Sequence, residues 1–479
     1  MSDSDGSTAD ESAPPSKSTA PLPPSPPRLP VVGHTHRYAH DPFAFVEWAT
    51  DRVGDCLLAS VLGEGDVCVL AHPDYVEQAL VTDRDAFAKS QGFTVAFGES
   101  IVTVEGEQWE RQHDAMREFF YPGTIRGYAE EMVALTERRV DRWSDGERLS
   151  LHEEMQALAL ENLFGTLFDR ELALDGDDDL RRAASNLNEW FDPSSWVLPR
   201  WVPTPARRRF ARAADTLDAE ARRLLAERER AVEATGATDA DGGPPGDDLL
   251  STLVALRERG DADLTDDEIV DQVVGFIFAG HDTTALAMTY AWHLLGTHPR
   301  IRERFHTELD DVLGSDVDDR DARRNGTDGP TRPSLADVGD LEVTERVVLE
   351  TLRLYPPVHT IPRVTTRDAR IGEYRVPDGT TTHVSVRAIH RDERFYDDPD
   401  TFRPSRWRDA SPQSKGYAFV PFGAGPRNCL GRRFAMLEAT LVLATVGRRY
   451  RLDPLGDIEL SPQMTTQPAD GVPARVVER

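Results

Sequence analysis

Cysteine and lysine are both scarce in this chain of 479 residues. The three cysteines, Cys56, Cys68 and Cys429, are an odd number with no CxxC pair, which argues against a disulfide framework and a four-thiolate zinc site. The formal net charge of −29 disfavours contact with a phosphate backbone, so we expect no nucleic-acid partner. The N-terminal residues lack a basic segment followed by an apolar one, so we expect no signal peptide, no transmembrane anchor and a cytoplasmic location.

Only three of the 55 basic residues are lysines, against 84 acidic residues. Such an acidic, lysine-poor surface is typical of salt-adapted proteins, because concentrated salt screens the self-repulsion of a highly charged chain. The composition therefore favours a halophilic source. An ordinary acidic protein from a GC-rich genome is the alternative.

The distribution of apolar residues predicts a mainly α-helical chain with small β-sheets, folded as one large domain. We expect a disordered, acidic and proline-rich tail over residues 1–28 and a folded body over 29–479, with loops or insertions near 235–248 and 314–333. The expected strands, in chain order, are 56–62, 67–71, 359–364, 369–376 and 380–386. Helices are expected over most of 73–355, and one more helix over 431–446.

The late cysteine lies in a glycine-rich loop directly before an apolar helix. Cys429 is therefore next to backbone N–H groups and the positive end of a helix, features that favour a thiolate. The glycines let the backbone approach something flat, and Arg427 offers a fork for a carboxylate. A thiolate ligand of a macrocyclic iron needs these parts. A structural cysteine in a turn would explain neither the arginine nor the glycines.

At these residues the sequence resembles the haem-thiolate monooxygenases of the cytochrome P450 family. The family's signature F-x-x-G-x-R-x-C-x-G is matched by Phe422, Gly425, Arg427, Cys429 and Gly431. The resemblance implies the P450 fold, haem b as cofactor and Cys429 as the axial ligand of its iron. It is closest to the soluble prokaryotic type, and with the composition it suggests a halophilic archaeon.

A long apolar segment over residues 265–295 begins with a capping box and is interrupted by A-G-H-D-T-T. An acid beside a histidine in its centre would be costly in lipid, so we expect a buried core helix rather than a membrane span. A threonine can bond the carbonyl four residues back and open a local groove. The segment is similar to the family's oxygen-activation motif, which assigns Thr283 to hydrogen bonding of dioxygen and Asp282 to proton delivery.

Two further motifs fit the same resemblance. Glu350 and Arg353 form the E-x-x-R pair of the family, and with Arg406 they are expected to build a buried network that supports the cysteine loop. Trp109 and His113 occupy one helix face, where the family usually has W-x-x-x-R contacting a haem propionate. Histidine in place of arginine can still donate to a carboxylate, or it is simply a packed helix residue.

Arg363, seven residues after Pro356, matches a further propionate-binding position of the family. The aromatic and proline-rich segment 190–210 is expected, by analogy, to cover substrate access. A GxGxxG nucleotide fingerprint is missing, so electrons must come from another protein.

The resemblance implies an enzyme that inserts one atom of O2 into a small apolar, lipid-like substrate with electrons from a separate ferredoxin or flavodoxin. A peroxide-using relative is one alternative. A non-catalytic haem-binding sensor or carrier is the other.

Overall fold

The computed structural model describes residues 20–191, 201–235, 248–314 and 332–479. The α-helices, labelled α1 to α17 in chain order, are Thr35–Tyr38, Pro42–Val53, Pro73–Glu77, Gln91–Phe97, Gly106–Met116, Pro122–Gly127, Ala129–Val140, Leu151–Phe168, Asp178–Asn186, Pro205–Thr235, Leu249–Arg259, Asp266–Phe276, Asp282–Thr297, Pro299–Leu313, Glu342–Leu354, Val386–His390 and Arg432–Arg449. Short 3₁₀ helices are Arg84–Ala86, Arg117–Phe120, Leu187–Phe191, Pro404–Trp407 and Pro412–Ala418, and π-helical turns are Gln78–Thr82 and Ile277–His281.

The strands, β1 to β12, are Cys56–Val61, Gly65–Leu70, Phe87–Ala88, Arg148–Ser150, Thr360–Thr365, Ala369–Ile371, Tyr374–Val376, Thr381–Ser385, Tyr450–Pro454, Leu460–Pro462, Thr466–Pro468 and Pro473–Glu478. They form one five-stranded sheet in the order β1-β2-β8-β5-β3, a three-stranded sheet β4-β12-β9 and the hairpins β6-β7 and β10-β11. The expected mainly α architecture with small sheets is confirmed.

The long apolar segment is confirmed as a buried helical core element. Thr265 and Glu268 form both halves of the capping box that begins α12. α13 follows directly after the π-turn Ile277–His281, and nearly all of its residues are buried. In the described part of the chain, no helix combines the length and apolarity needed to cross a bilayer.

Three sequence expectations need correction. The predicted strand 369–376 is a hairpin, because Gly372 adopts φ +56° between β6 and β7. The small sheets after α17 were not expected.

The third concerns the boundary of the N-terminal tail. Of the predicted tail 1–28, residues 1–19 lie outside the described ones, but 20–28 pack on the body: the Pro24 carbonyl accepts from Leu58 N at 2.9 Å, and that of Pro21 from Arg375 N at 2.8 Å. The predicted loops near 235–248 and 314–333 fall mostly outside the described residues.

Candidate active site

The cysteine loop, residues Phe422–Gly431, turns sharply before α17. Its turns are closed by backbone bonds from Cys429 N to Phe422 O at 2.8 Å and from Asn428 N to Gly425 O at 3.1 Å. Gly425 has φ +72°, and a Cβ there would lie 2.3 Å from the carbonyl oxygen of Leu80. Only glycine allows this approach, which fixes the loop against the π-turn Gln78–Thr82.

The Cys429 side chain faces an internal cavity. Its surface is exposed, but that surface is cavity wall rather than outer surface. Burial raises the pKa of the thiol, and the N–H of Gly431 and the charge of Arg432 offset this only in part. The thiolate expected from the loop and the helix end is therefore not favoured for the thiol alone, since desolvation outweighs the helix end. A bound metal ion would take the place of the proton.

The cavity has a volume of about 370 Å³ and a mostly apolar wall. Part of the wall is formed by rings: the centroids of Phe97 and Phe278 lie 3.9 Å apart, and those of Phe93 and Phe191 lie 5.5 Å apart. Phe93 and Phe278 line the cavity directly. Such a wall suits an apolar ligand.

One end of the cavity carries cations. We call Lys89, Arg363 and Arg427 the cationic end; all three line the cavity, as do His113 and Trp109. The rings of Trp109 and His113 stack with centroids 4.8 Å apart, as expected for one face of α5.

Arg363 is a partly buried cation. Among the described residues, its Nη1 donates a hydrogen bond to the Pro362 carbonyl at 2.8 Å. Burial and the nearby Arg427 lower the pKa of Arg363 to about 10. Arg427 itself pairs with Glu105 at 2.5 Å. Cations gathered around so little negative charge fit a ligand that brings carboxylates of its own, as the two propionates of a haem would.

Lys89 is not among the site residues expected from the sequence, although lysine is so rare in this chain that its position could have indicated a special role. Its Nζ donates to the carbonyls of Ile101 at 2.7 Å and Val104 at 3.0 Å. Burial, followed by the charges of Arg363 and Arg427, lowers the pKa of Lys89 to about 7, and Glu105 opposes this shift.

The interrupted helix lines the cavity with Ala279, Gly280 and Thr283. The Thr283 hydroxyl donates to the carbonyl of Ala279 at 2.6 Å, the back-bonding expected from the sequence. Asp282 is 2% exposed and does not line the cavity.

The carboxylate of Asp282 is held by three neutral donors that the sequence did not reveal. Oδ1 accepts from Gln156 Nε2 at 3.2 Å, and Oδ2 accepts from Thr465 Oγ1 at 3.0 Å and Gln467 Nε2 at 2.7 Å. Within the described residues, the structure gives Asp282 no ion-pair partner.

The structure brings Glu350, Arg353 and Arg406 together. Arg353 donates to both oxygens of Glu350 at 2.8 and 3.0 Å, and Arg406 Nε lies 3.3 Å from Oε1. Trp407 Nε1 donates to Glu350 Oε2 at 2.9 Å. Glu350 and Arg353 are fully buried.

This network is linked to the cysteine loop through His390. Arg353 Nη1 donates to the His390 carbonyl at 2.9 Å, and Val420 N donates to His390 Nε2 at 2.9 Å. Val420 lies two residues before the cysteine loop begins, so the network anchors the segment that leads into this loop.

Part of the expected access segment lies outside the described residues, namely 192–200. At its ends, Trp190 packs on Phe210 with ring centroids 5.0 Å apart, and Trp201 is 83% exposed.

Comparison with known proteins agrees with this site. The family model described as "Cytochrome P450" matches residues 23–472. The chain is 32% identical to a cyclooctat-9-en-7-ol 5-monooxygenase of Streptomyces melanosporofaciens, over 90% of this chain and 89% of that protein.

It is likewise 32% identical to a pentalenene oxygenase of Streptomyces avermitilis, over 91% of this chain and 93% of that one. Among solved structures, the haem domain of cytochrome P450DA superposes with a TM-score of 0.80 at 25% identity, covering 96% of this chain and 98% of that domain.

Proposed function

The chain belongs to the cytochrome P450 family, and from this premise we propose that it inserts one atom of O2 into an apolar, terpenoid-like substrate. As a member of the family it is a haem-iron monooxygenase. The observation that supports the proposal best is the position of Cys429, at the wall of an apolar cavity that is also lined by the cationic end.

We assign the haem contacts to residues that line the cavity. Cys429 would be the thiolate ligand of the iron, and Trp109, His113, Arg363 and Arg427 would hold the propionates. Lys89 is added to this set by the structure. Phe422, Gly425 and Gly431 shape the loop around the sulfur. When bound, the haem supplies the redox chemistry of oxygen activation.

The protein's own contribution to that chemistry is proton control. We assign Thr283 to hydrogen bonding of O2 in the cavity and Asp282 to proton supply. Glu350, Arg353 and Arg406 have a structural role, because they fix the chain that leads into the cysteine loop.

The proposed substrate class rests on the wall and on the relatives. The rings of Phe93 and Phe278 offer flat apolar surface, and the charged groups of the wall belong to the cationic end. Two of the relatives are named for oxygenation of cyclooctat-9-en-7-ol and pentalenene. A cyclic terpenoid or similar lipid-like molecule fits this surface.

Electrons are proposed to come from a separate ferredoxin or flavodoxin. Arg432 and Arg433 are exposed at the start of α17, directly after the cysteine loop. They give an acidic protein a local positive surface near Cys429. We also propose a cytoplasmic location and, from the composition, a halophilic source, which together would set the salt at which this docking occurs.

The proposal is tested by spectroscopy and isotope incorporation. Reduced protein with carbon monoxide should show the red-shifted band of a thiolate-ligated haem, and Cys429→Ser should abolish it. Cys56→Ser and Cys68→Ser are matched controls that should keep the band, because both side chains are buried, belong to β1 and β2, and do not line the cavity. An early cysteine that proves essential to the band would contradict the ligand assignment.

The second measurement separates the alternatives. Incubation with cyclic terpenes, a surrogate reductase and ¹⁸O2 should give a product that carries one labelled oxygen atom. Turnover with peroxide but not with O2 would favour the peroxide-using alternative. Haem binding without turnover would favour a sensor or carrier.

A further inference from the structure

The threonine hydroxyl that is hydrogen-bonded to Asp282 is not that of Thr283. The Thr283 hydroxyl is committed to the carbonyl of Ala279 at 2.6 Å. Oδ2 of Asp282 accepts instead from Thr465, whose Oγ1 lies 3.0 Å away on the β10-β11 hairpin.

Thr465 is the residue of this cluster that also reaches the cavity. It lines the cavity wall, whereas Asp282 is buried behind it. Its oxygen also accepts from Gln467 Nε2 at 2.7 Å, so both its donor and one acceptor position are used. The side chain therefore joins the buried acid to the cavity.

The fold fixes the hairpin in this position. Thr466 N donates to the Pro357 carbonyl at 2.8 Å, and Thr466 Oγ1 donates to the Pro356 carbonyl at 2.7 Å. The Tyr290 hydroxyl, from α13, donates to the Thr466 carbonyl. The hairpin is thus bound both to the helix that carries Asp282 and to the chain after α15.

We propose that Thr465 is a catalytic residue that transfers a proton from Asp282 to oxygen in the cavity. In this step Asp282, after taking up a proton from water, passes it from Oδ2 to Thr465 Oγ1, and the Thr465 hydroxyl, turned from Asp282 toward the cavity, passes its own proton to oxygen there. The threonine ends neutral and Asp282 ends as the carboxylate that the structure shows accepting three bonds. The proposal rests on the proposed function, because it requires O2 reduction in the cavity.

Gln467 and Gln156 have a positioning role in this arrangement. Their amides bind opposite oxygens of Asp282, at 2.7 and 3.2 Å, and keep Oδ2 turned toward Thr465. They do not carry the proton, because an amide N–H donates a hydrogen bond but does not release its proton at neutral pH.

The test uses the full haem-loaded chain with a surrogate reductase and needs no substrate. It compares Thr465→Val, which removes the hydroxyl at equal size, with Thr465→Ser, which retains it. Thr289→Val is the matched control, since it removes a buried hydroxyl from α13, the helix that carries Asp282; this hydroxyl donates to the Ala285 carbonyl at 2.7 Å, and Thr289 does not line the cavity. The measured quantity is the fraction of consumed O2 that is released as water rather than as hydrogen peroxide.

Thr465→Val should lower the fraction of O2 released as water by on the order of threefold to tenfold. This is less than the full effect of a positioned acid on a reaction rate. Thr465→Ser should restore the fraction, and Thr289→Val should leave it at the parent value. A crystal structure of Thr465→Val should show Asp282 still bonded to Gln467 and Gln156.

Four results would overturn the inference: unchanged partitioning in Thr465→Val, an equal loss in Thr465→Ser, an equal loss in Thr289→Val, or an Asp282 side chain displaced in the crystal structure. A parent protein that lacks the thiolate band or consumes no O2 contradicts the proposed function instead.

Discussion

Two walls of the cavity are backed by buried carboxylates that are held by different means: the cysteine wall, which is the Cys429 loop with the network behind it, and the helix wall, which is the interrupted helix that carries Asp282. On the cysteine side, Glu350 is bound by the guanidinium groups of Arg353 and Arg406. Behind the helix wall, Asp282 is bound by amides and one hydroxyl, with hydrogen bonds at 2.7 to 3.2 Å. The carboxylate paired with guanidinium groups supports the fold, and the one held by neutral donors is the one that we assign to proton supply.

The sharpest way to test the support role is to neutralise Glu350. Glu350→Gln keeps the size but leaves two buried guanidinium groups without their anion, so unfolding should require about 3–5 kcal/mol less. Haem content should fall with it. Both are measured by chemical denaturation and by the absorbance of the haem.

Glu342→Gln is the matched control on the same helix. Glu342 pairs with Arg346 on the surface, with 64% of its side chain exposed, so its loss should cost about 0–1 kcal/mol. Equal effects of the two substitutions would contradict a special role for the buried network.

The next largest effect concerns the backbone of the cysteine loop. Gly425→Ala should lower haem affinity and stability by about 1–3 kcal/mol through strain, because its Cβ would meet Leu80 O at 2.3 Å. Gly423→Ala is the control that distinguishes the steric clash from the strain of a positive φ. Gly423 has a similar φ of +76°, but the nearest atom to an added Cβ lies at 3.8 Å. If Gly423→Ala is as damaging, the close approach to Leu80 does not matter. The measurement is haem titration into the apoprotein.

On the helix wall, Thr283→Ala should keep haem binding and electron uptake but divert electrons to peroxide. The reason is that O2 loses a hydrogen-bonding group, and we expect on the order of tenfold less product per electron. Peroxide and product are measured together against reductant consumed. Coupling equal to that of the parent would remove Thr283 from the mechanism and leave Thr465 as the only hydroxyl assigned to it.

Sequence could predict the cysteine wall better than the helix wall, for a physical reason. Glu350 and Arg353 are one helical turn apart, and the loop around Cys429 is continuous, so local spacing is enough. The donors to Asp282 are distant, Gln156 by 126 positions and Gln467 by 185. No local period links such residues.

The C-terminal hairpin shows the same limit for the fold. β10 and β11 are three residues long and each ends in proline, which is too short for an alternating pattern. Its position is set by Tyr290 and by the two prolines after α15, contacts that exist only in the folded chain.

The cationic end should make the stability of the apoprotein depend on pH. The pKa of Lys89 is lowered to about 7 by burial and by Arg363 and Arg427, against Glu105, while the unfolded chain keeps its ordinary value of about 10.4. Between these values the unfolded state binds the extra proton, so stability should rise with pH from about 7 to 10.

Lys89→Met should remove that rise, and its difference from the parent isolates Lys89 from other groups. Denaturation midpoints of the apoprotein at several pH values provide the measurement. A difference that is flat across this window would contradict a buried, destabilised lysine at the cationic end.

The smallest expected effect lies outside the cavity, where the cysteine wall meets the surface. Arg432 and Arg433 are exposed at the first turn of α17, where the helix dipole disfavours cations, so their presence there is better explained by a partner than by stability. Arg432→Glu with Arg433→Glu should slow reduction by an acidic ferredoxin several-fold while dithionite reduction stays unchanged. Arg300→Glu with Arg304→Glu, exposed on α14, makes the same change in charge elsewhere and should have little effect. Stopped-flow rates across salt concentrations distinguish docking from global charge, because steering by a local patch weakens as salt rises. First-electron rates that are equal for both double variants at every salt concentration would place the docking surface elsewhere.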